Sequence, residues 1–384
     1  MSTIPEHAVN STGLSASAAK SRNVMIDCAK GVGILLIVLM HNGPFSKALP
    51  AVSDGLFACV VSFFFFLSGV TFSLGDGDLK RIAREKADAL LKPCLVVILL
   101  IGLAKLVVGK ASVETLALSM TYLAGFTIPW PPLWFIPHLW LVCVFSAIVI
   151  INFRKLLQSR LALLIFFVVF SALGFYLINA FTSFKVNPAC MKQTLFSTGL
   201  LDCGLPFSAD LLFISSSFFL VGYFLSAKIK ALKENHLLAG LSILAIVGLC
   251  ILFPLKLDIN IRLYPYMFVG PLKAAAGIMA LLYVALYISK WAPARRAFSY
   301  CGKASLFILI FHSPVVFGLG ALMYKFTGSD LLVGVAIFIV PTLCSLALYH
   351  LCQLNRFSRL LMLPIKKTRP GAPQNSSVAV SREN

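Results

Sequence analysis

Apolar runs of about twenty residues recur along this chain from one end to the other. Read against the breaks between them, they give ten candidate spans, near 24–46, 55–74, 93–109, 133–153, 161–181, 208–227, 237–254, 263–289, 304–323 and 331–353. A helix rising ~1.5 Å per residue needs about 20 residues to cross a ~30 Å hydrocarbon core. In that medium only helices and closed barrels satisfy their own backbone polar groups. The expected fold class is therefore all-α: a polytopic integral membrane protein with about ten transmembrane helices. Of the 384 residues, 59% are hydrophobic and 12% charged, against about a quarter charged in soluble domains.

In a soluble protein a net charge of +19 would suggest nucleic acid, but in a membrane chain its placement carries the information. With the N-terminus in the cytoplasm, Lys and Arg concentrate in the two tails and the even-numbered connections, as the positive-inside rule requires. Lys80, Arg81, Arg84, Lys86 and Lys92 follow the second span, and Lys290, Arg295, Arg296 and Lys303 the eighth. We therefore expect both termini in the cytoplasm, the lipid bilayer as partner, and no nucleic acid. The Ser- and Ala-rich start has no apolar core before a cleavage site, so the first span is read as a retained anchor.

Residues 1–21 and 366–384 read as disordered cytoplasmic tails around a single membrane domain, 22–365. The longest outer connection, Thr182 to Ala209, is more than a minimal turn requires and reads as a lid or re-entrant segment. Its Cys190 and Cys203 would face an oxidising compartment and form either a bridge or two free thiols. The remaining cysteines fall mostly inside spans at irregular spacing, where a thiol behaves as a small hydrophobe. No metal pattern is present.

The first span carries Asp27, Lys30 and His41. Ionisable groups inside a membrane cost several kcal/mol unless paired or functional. Lys30 and His41 are eleven positions apart, which places them on one helical face about 16 Å apart in depth, with Asp27 close to the same stripe. Asp27 and Lys30 also have the i, i+3 spacing of a plain ion pair. Three further stretches stand out: Ser62-Phe63-Phe64-Phe65-Phe66-Leu67-Ser68-Gly69, Pro131-Pro132-Leu133-Trp134-Phe135-Ile136-Pro137-His138, and Cys301-Gly302-Lys303-Ala304-Ser305 through His312-Ser313-Pro314. Taken singly they read as a small-residue helix contact, an interfacial aromatic belt and a proline-kinked helix.

Taken together, the Asp-x-x-Lys-Gly-x-Gly helix ending in His, Phe-Phe-x-Leu-Ser-Gly, Leu-Trp-Phe-x-Pro, and Gly-Lys-x-Ser-Leu-x-Ile with a following His resemble the acyltransferase 3 family of integral membrane O-acyltransferases. Within it they resemble the branch of fucose 4-O-acetylases and polysaccharide O-acetyltransferases. That resemblance implies ten spans, a bacterial inner membrane, acetyl-CoA as donor and a sugar or glycan hydroxyl as acceptor, with no metal. Family members often carry Arg where Lys30 stands; Lys keeps the charge and loses the bidentate fork.

Acyl transfer from a thioester to a hydroxyl needs a base, and His is the natural one near neutral pH. His41 is the expected general base, with an acyl-histidine relay as the other route. Lys30, with Asp27, is expected to meet the donor's phosphates, and the missing side chains of Gly31 and Gly33 would permit its close approach. Ser68, Trp134, His138, Lys273 and His312 are the expected acceptor or cavity residues. The geometry predicts one continuous cavity holding Lys30 and His41, lined partly by spans two, four and nine. A transporter or flippase, with the embedded charges forming a permeation path, is the rival reading.

Overall fold

Asn23 opens the first helix: its side-chain oxygen accepts the Ile26 N–H at 3.2 Å, satisfying one of the donors that a helix start leaves without an internal partner. The computed structural model describes residues 23–181 and 187–365. The tails expected at 1–21 and 366–384, and residues 182–186 of the long connection, lie outside the described residues. The first half runs through α1 (Val24–Met40), α2 (Gly43–Ala48), α3 (Pro50–Thr71), α4 (Leu79–Lys86), α5 (Lys92–Val107), α6 (Val113–Thr121), α7 (Phe135–Leu157) and α8 (Arg160–Asn179). The second half runs through α9 (Leu212–Phe224), α10 (Ser226–Lys230), α11 (His236–Leu252), α12 (Val269–Ile288), α13 (Ala292–Lys303), α14 (Ser305–Thr327), α15 (Asp330–Leu354) and α16 (Arg356–Met362).

Eight of these stretches are long and apolar enough to cross a membrane. The 17-residue helices α1 and α11 occupy the other two expected segments. The protein is an all-α polytopic membrane protein. Leucine, valine and isoleucine side chains of α8, α11 and α15 remain exposed, the outward face that a lipid medium accepts without penalty.

Two boundaries differ from expectation. The eighth span begins at Val269 and not near 263, because Asp258 and Leu263 exchange backbone hydrogen bonds of 2.8 and 3.0 Å across a tight antiparallel turn. The sixth begins at Leu212, after an irregular 3-10 segment, Pro206–Leu211, in which Phe207 and Ser208 have φ of 57° and 52°.

Without a hydrophobic drive between helices in lipid, close packing depends on small residues. A Cβ on Gly31 would collide with the carbonyl oxygen of Phe298 on α13, and one on Gly302 with that of Asp27 on α1. The same reciprocal arrangement joins α3 to α9, where Gly69 meets the Phe219 carbonyl and Gly222 that of Phe66. These crossings fix α1 against α13 and α3 against α9.

Candidate active site

α1 and α3 each present one stripe to a common cavity of about 290 Å³. From α1 come Lys30, Ile34, Ile37 and His41, and from α3 Phe57, Val61, Phe64 and Ser68, the i, i+4, i+7, i+11 spacing of a single helical face. Trp134, Phe135 and Leu139 close it from the start of α7 and the turn before it, and Ser305, Leu306 and Leu309 from α14. Lys30, His41, Ser68 and Trp134 all line this one space.

At one end the cavity is cationic. Lys86 of α4 joins Lys30 there, its ammonium 5.2 Å from the centre of the Phe72 ring. The first turn of the 23-residue α14 opens onto the same space through Ser305 and Leu306, and a helix N-terminus carries partial positive charge. Sequence reasoning assigned Lys86 to membrane orientation and passed over Ser305 as a cavity residue.

At the other end stands His41, the C-cap of α1. Its Nδ1 lies 2.8 Å from the Ile37 carbonyl oxygen. A carbonyl only accepts, so Nδ1 carries a proton, and in the neutral form of the ring the lone pair is on Nε2. His312 packs edge-on against it, ring centres 5.1 Å apart. His312 is fully buried behind His41 and is not a wall of the cavity. Its Nδ1 donates to the carbonyls of Ile308 and Leu309, and its Nε2 has no partner among the described residues.

The segment leading into the third stretch is tied to the fourth through Trp130. Pro314 lacks an N–H, which leaves the Ile310 carbonyl four residues earlier without its helical donor; the Trp130 indole N–H supplies one at 3.0 Å. α14 accordingly runs through Pro314 without interruption.

The structure separates other expected site residues from this space. His138 is fully buried; its Nδ1 donates to the Phe207 carbonyl, leaving Nε2 to accept from the Ser215 hydroxyl at 2.8 Å. Its ring lies 5.4 Å from that of Trp134, so it backs the tryptophan and does not itself line the cavity. Lys273 donates to the Phe253 carbonyl at the end of α11 and lines a separate recess with Asp54 and Cys250, where it satisfies an orphan helix-end acceptor. Gly31 is occupied by the α13 crossing and Asp27 is buried in the first turn of α1; neither lines the cavity. Gly33 makes room for the rings of Phe63 and Phe64.

Asp258 and Asn260, which sequence reasoning did not single out, reach the cavity from the turn between α11 and α12. Asp258 and Lys256 are charged groups near enough to act electrostatically on His41. The alternation Asp258-Ile259-Asn260-Ile261 was the available signal: Ile259 and Ile261 are buried, while Asp258 and Asn260, alternating with them, line the cavity. This turn is anchored by Arg262, held at φ 57°. Its guanidinium makes two bonds to the Asp210 carboxylate, of 3.0 and 3.1 Å, with both side chains wholly removed from solvent. Asp210 also accepts the Leu205 N–H. Cys190 and Cys203 form a disulfide beside this pair, with Cα atoms 5.6 Å apart. The Tyr122 hydroxyl donates to the Gly204 carbonyl, and burial pushes that phenol up to about 12, which keeps it a neutral donor.

No curated protein and no solved structure matches the chain. A family model describing an acyltransferase domain matches residues 23–350, a stretch that contains all the residues lining the cavity. The chain thus belongs to the acyltransferase 3 family of membrane acyltransferases.

Proposed function

We propose that the protein moves an acetyl group from cytosolic acetyl-CoA to a sugar hydroxyl of a cell-surface or exported glycan, with His41 as general base. The observation that carries this reading is the shared cavity: a cationic end at Lys30 and Lys86, an apolar bore, and an imidazole at the far end with Nε2 as its lone-pair nitrogen. Lys30, Lys86 and the α14 N-terminus suit the phosphates of the donor, and Ile34, Leu67 and Leu306 suit its uncharged arm. His41 Nε2 takes the proton as the acceptor oxygen bonds to the thioester carbonyl carbon. It returns that proton to the thiolate as the carbon–sulfur bond breaks, leaving an ester and free thiol. The Ile37 carbonyl stabilises the intervening imidazolium through Nδ1.

The disulfide supports an outward-facing position for the His41 end, since such bonds persist in oxidising compartments. With Lys30 toward the cytoplasm, this corresponds to a bacterial inner-membrane protein with both termini inside. Mass spectrometry of surface glycans tests the reaction. A deletion strain complemented with His41→Ala at equal membrane levels should lack an acetyl increment that the wild-type gene restores; an unchanged glycan profile in the deletion strain would overturn the reading.

A further inference from the structure

The mechanism gives no task to Asp258 and Asn260 of the cavity wall. Asp258 and Asn260 line the same cavity as His41 and the rings of Phe57, Trp134 and Phe135, and Asp258 is near enough to His41 to act on it electrostatically. We propose that Asp258 and Asn260 form the acceptor-recognition site, binding adjacent hydroxyls of a sugar ring whose apolar face rests on these aromatics; the assignment of this ligand as the acceptor rests on the transferase reading above.

The chemistry follows from what each side chain offers. The Asp258 carboxylate receives the Asn260 backbone N–H at 3.2 Å through one oxygen, and a carboxylate has capacity for several donors. A hydroxyl that donates to this carboxylate leaves its neighbour on the ring to accept from the Asn260 amide. Asn260 Oδ1 is buried against Gly125, which leaves the amide N–H2 as the part of the side chain that can serve the cavity Asn260 lines, as a donor to a hydroxyl oxygen. An alternative task for Asp258, fixing the His41 ring as carboxylates commonly do, is already performed by the Ile37 carbonyl at Nδ1.

The surrounding construction holds this pair in place. The Arg262 guanidinium donates to the Asn260 carbonyl at 2.8 Å while gripping Asp210. Gly125 is the complementary element: a Cβ there would occupy the place of Asn260 Oδ1. A bare glycine on one segment is what lets the amide on another sit where it does. Such rigid support is what a site discriminating among hydroxyl arrangements requires.

Saturation-transfer NMR on the full-length protein in lipid nanodiscs tests the site, with methyl α-D-glucopyranoside and methyl α-D-mannopyranoside as probes and n-butanol as the single-hydroxyl control. Wild type should give saturable transfer to glycoside ring protons that butanol does not displace. Asp258→Asn and Asn260→Ala should each weaken glycoside binding by about 10-fold, the loss of one well-made hydrogen bond, while acetyl-CoA binding is unchanged. Gly125→Ala, whose added methyl meets only the end of a movable side chain, should fold normally and weaken binding about 3-fold through displacement of the amide. No saturable glycoside binding in wild type, or full affinity in Gly125→Ala together with either other variant, would overturn the proposal. Glycoside binding that depends on these residues, in a protein that transfers no acetyl group, would support the site and count against the proposed reaction alone.

Discussion

The two ends of the cavity are built on different principles. The Lys30 end consists of helices whose faces are fixed by their own periodicity and by glycine crossings: α1 against α13, α3 against α9. The His41 end is closed by a short turn that has no helical periodicity and is held by a buried ion pair to Asp210, whose own segment is braced by a disulfide and by hydrogen bonds from Tyr122 and Leu205. A charged donor needs little more than cations at a set depth, which a helix supplies. Recognition of an acceptor needs short side chains held in register, and here that register is imposed from outside the turn.

Substitutions at the two ends should therefore fail differently. The largest effect belongs to His41, the proposed base: His41→Ala should lower transfer at least ~100-fold, the scale of general-base catalysis, with membrane insertion intact. A rate within a few-fold of wild type would remove the base assignment. Arg262→Ala comes next, because it strands the Asp210 carboxylate in a site with no solvent. Breaking a buried pair costs about 3–5 kcal/mol, so thermal unfolding in detergent should come markedly earlier. An unshifted melting curve would show that the turn does not depend on this anchor.

Opening the disulfide tests the same end more gently. Closing a loop of this length contributes about 3 kcal/mol in the chain-entropy view, and Cys190→Ser with Cys203→Ser should lose stability on that scale. Acceptor dependence should weaken while donor dependence holds; the reverse pattern would erase the distinction between the two ends. The smallest effect is expected at the cationic end. Lys30→Ala and Lys86→Ala should each raise the acetyl-CoA concentration needed for half-maximal rate by less than about 10-fold, since a point charge near water is partly screened. Their combination should exceed either alone and weaken as salt is raised. Donor dependence that ignores both substitutions would return the lysines to a structural role.

Gly31 and Ser68 illustrate how far a motif speaks for itself. The Lys-Gly-x-Gly spacing marked the right helix, but Gly31 serves the α13 crossing and Lys30 the cavity. Ser68-Gly69 divides in the same way, one residue facing the cavity and its neighbour facing α9. Sequence spacing placed each on its helix; which partner waited on each face depended on the other helices.

The amino-acid sequence by itself determined the all-α membrane fold, through recurring apolar runs, and the common face of Lys30 and His41, through the fixed 100° step of a helix. It also marked Cys190 and Cys203 as close enough along the chain to bridge. Only the tertiary structure decided that His138 and Lys273 turn away into satisfied hydrogen bonds, that His312 stands behind His41, and that Lys86, Asp258 and Asn260 enter the cavity. The physical reason lies in range. Periodicity is a local property carried by each helix, whereas the Arg262–Asp210 pair spans 52 positions and the Trp130–Ile310 bond 180, and no local rule specifies which distant groups a buried polar atom will find.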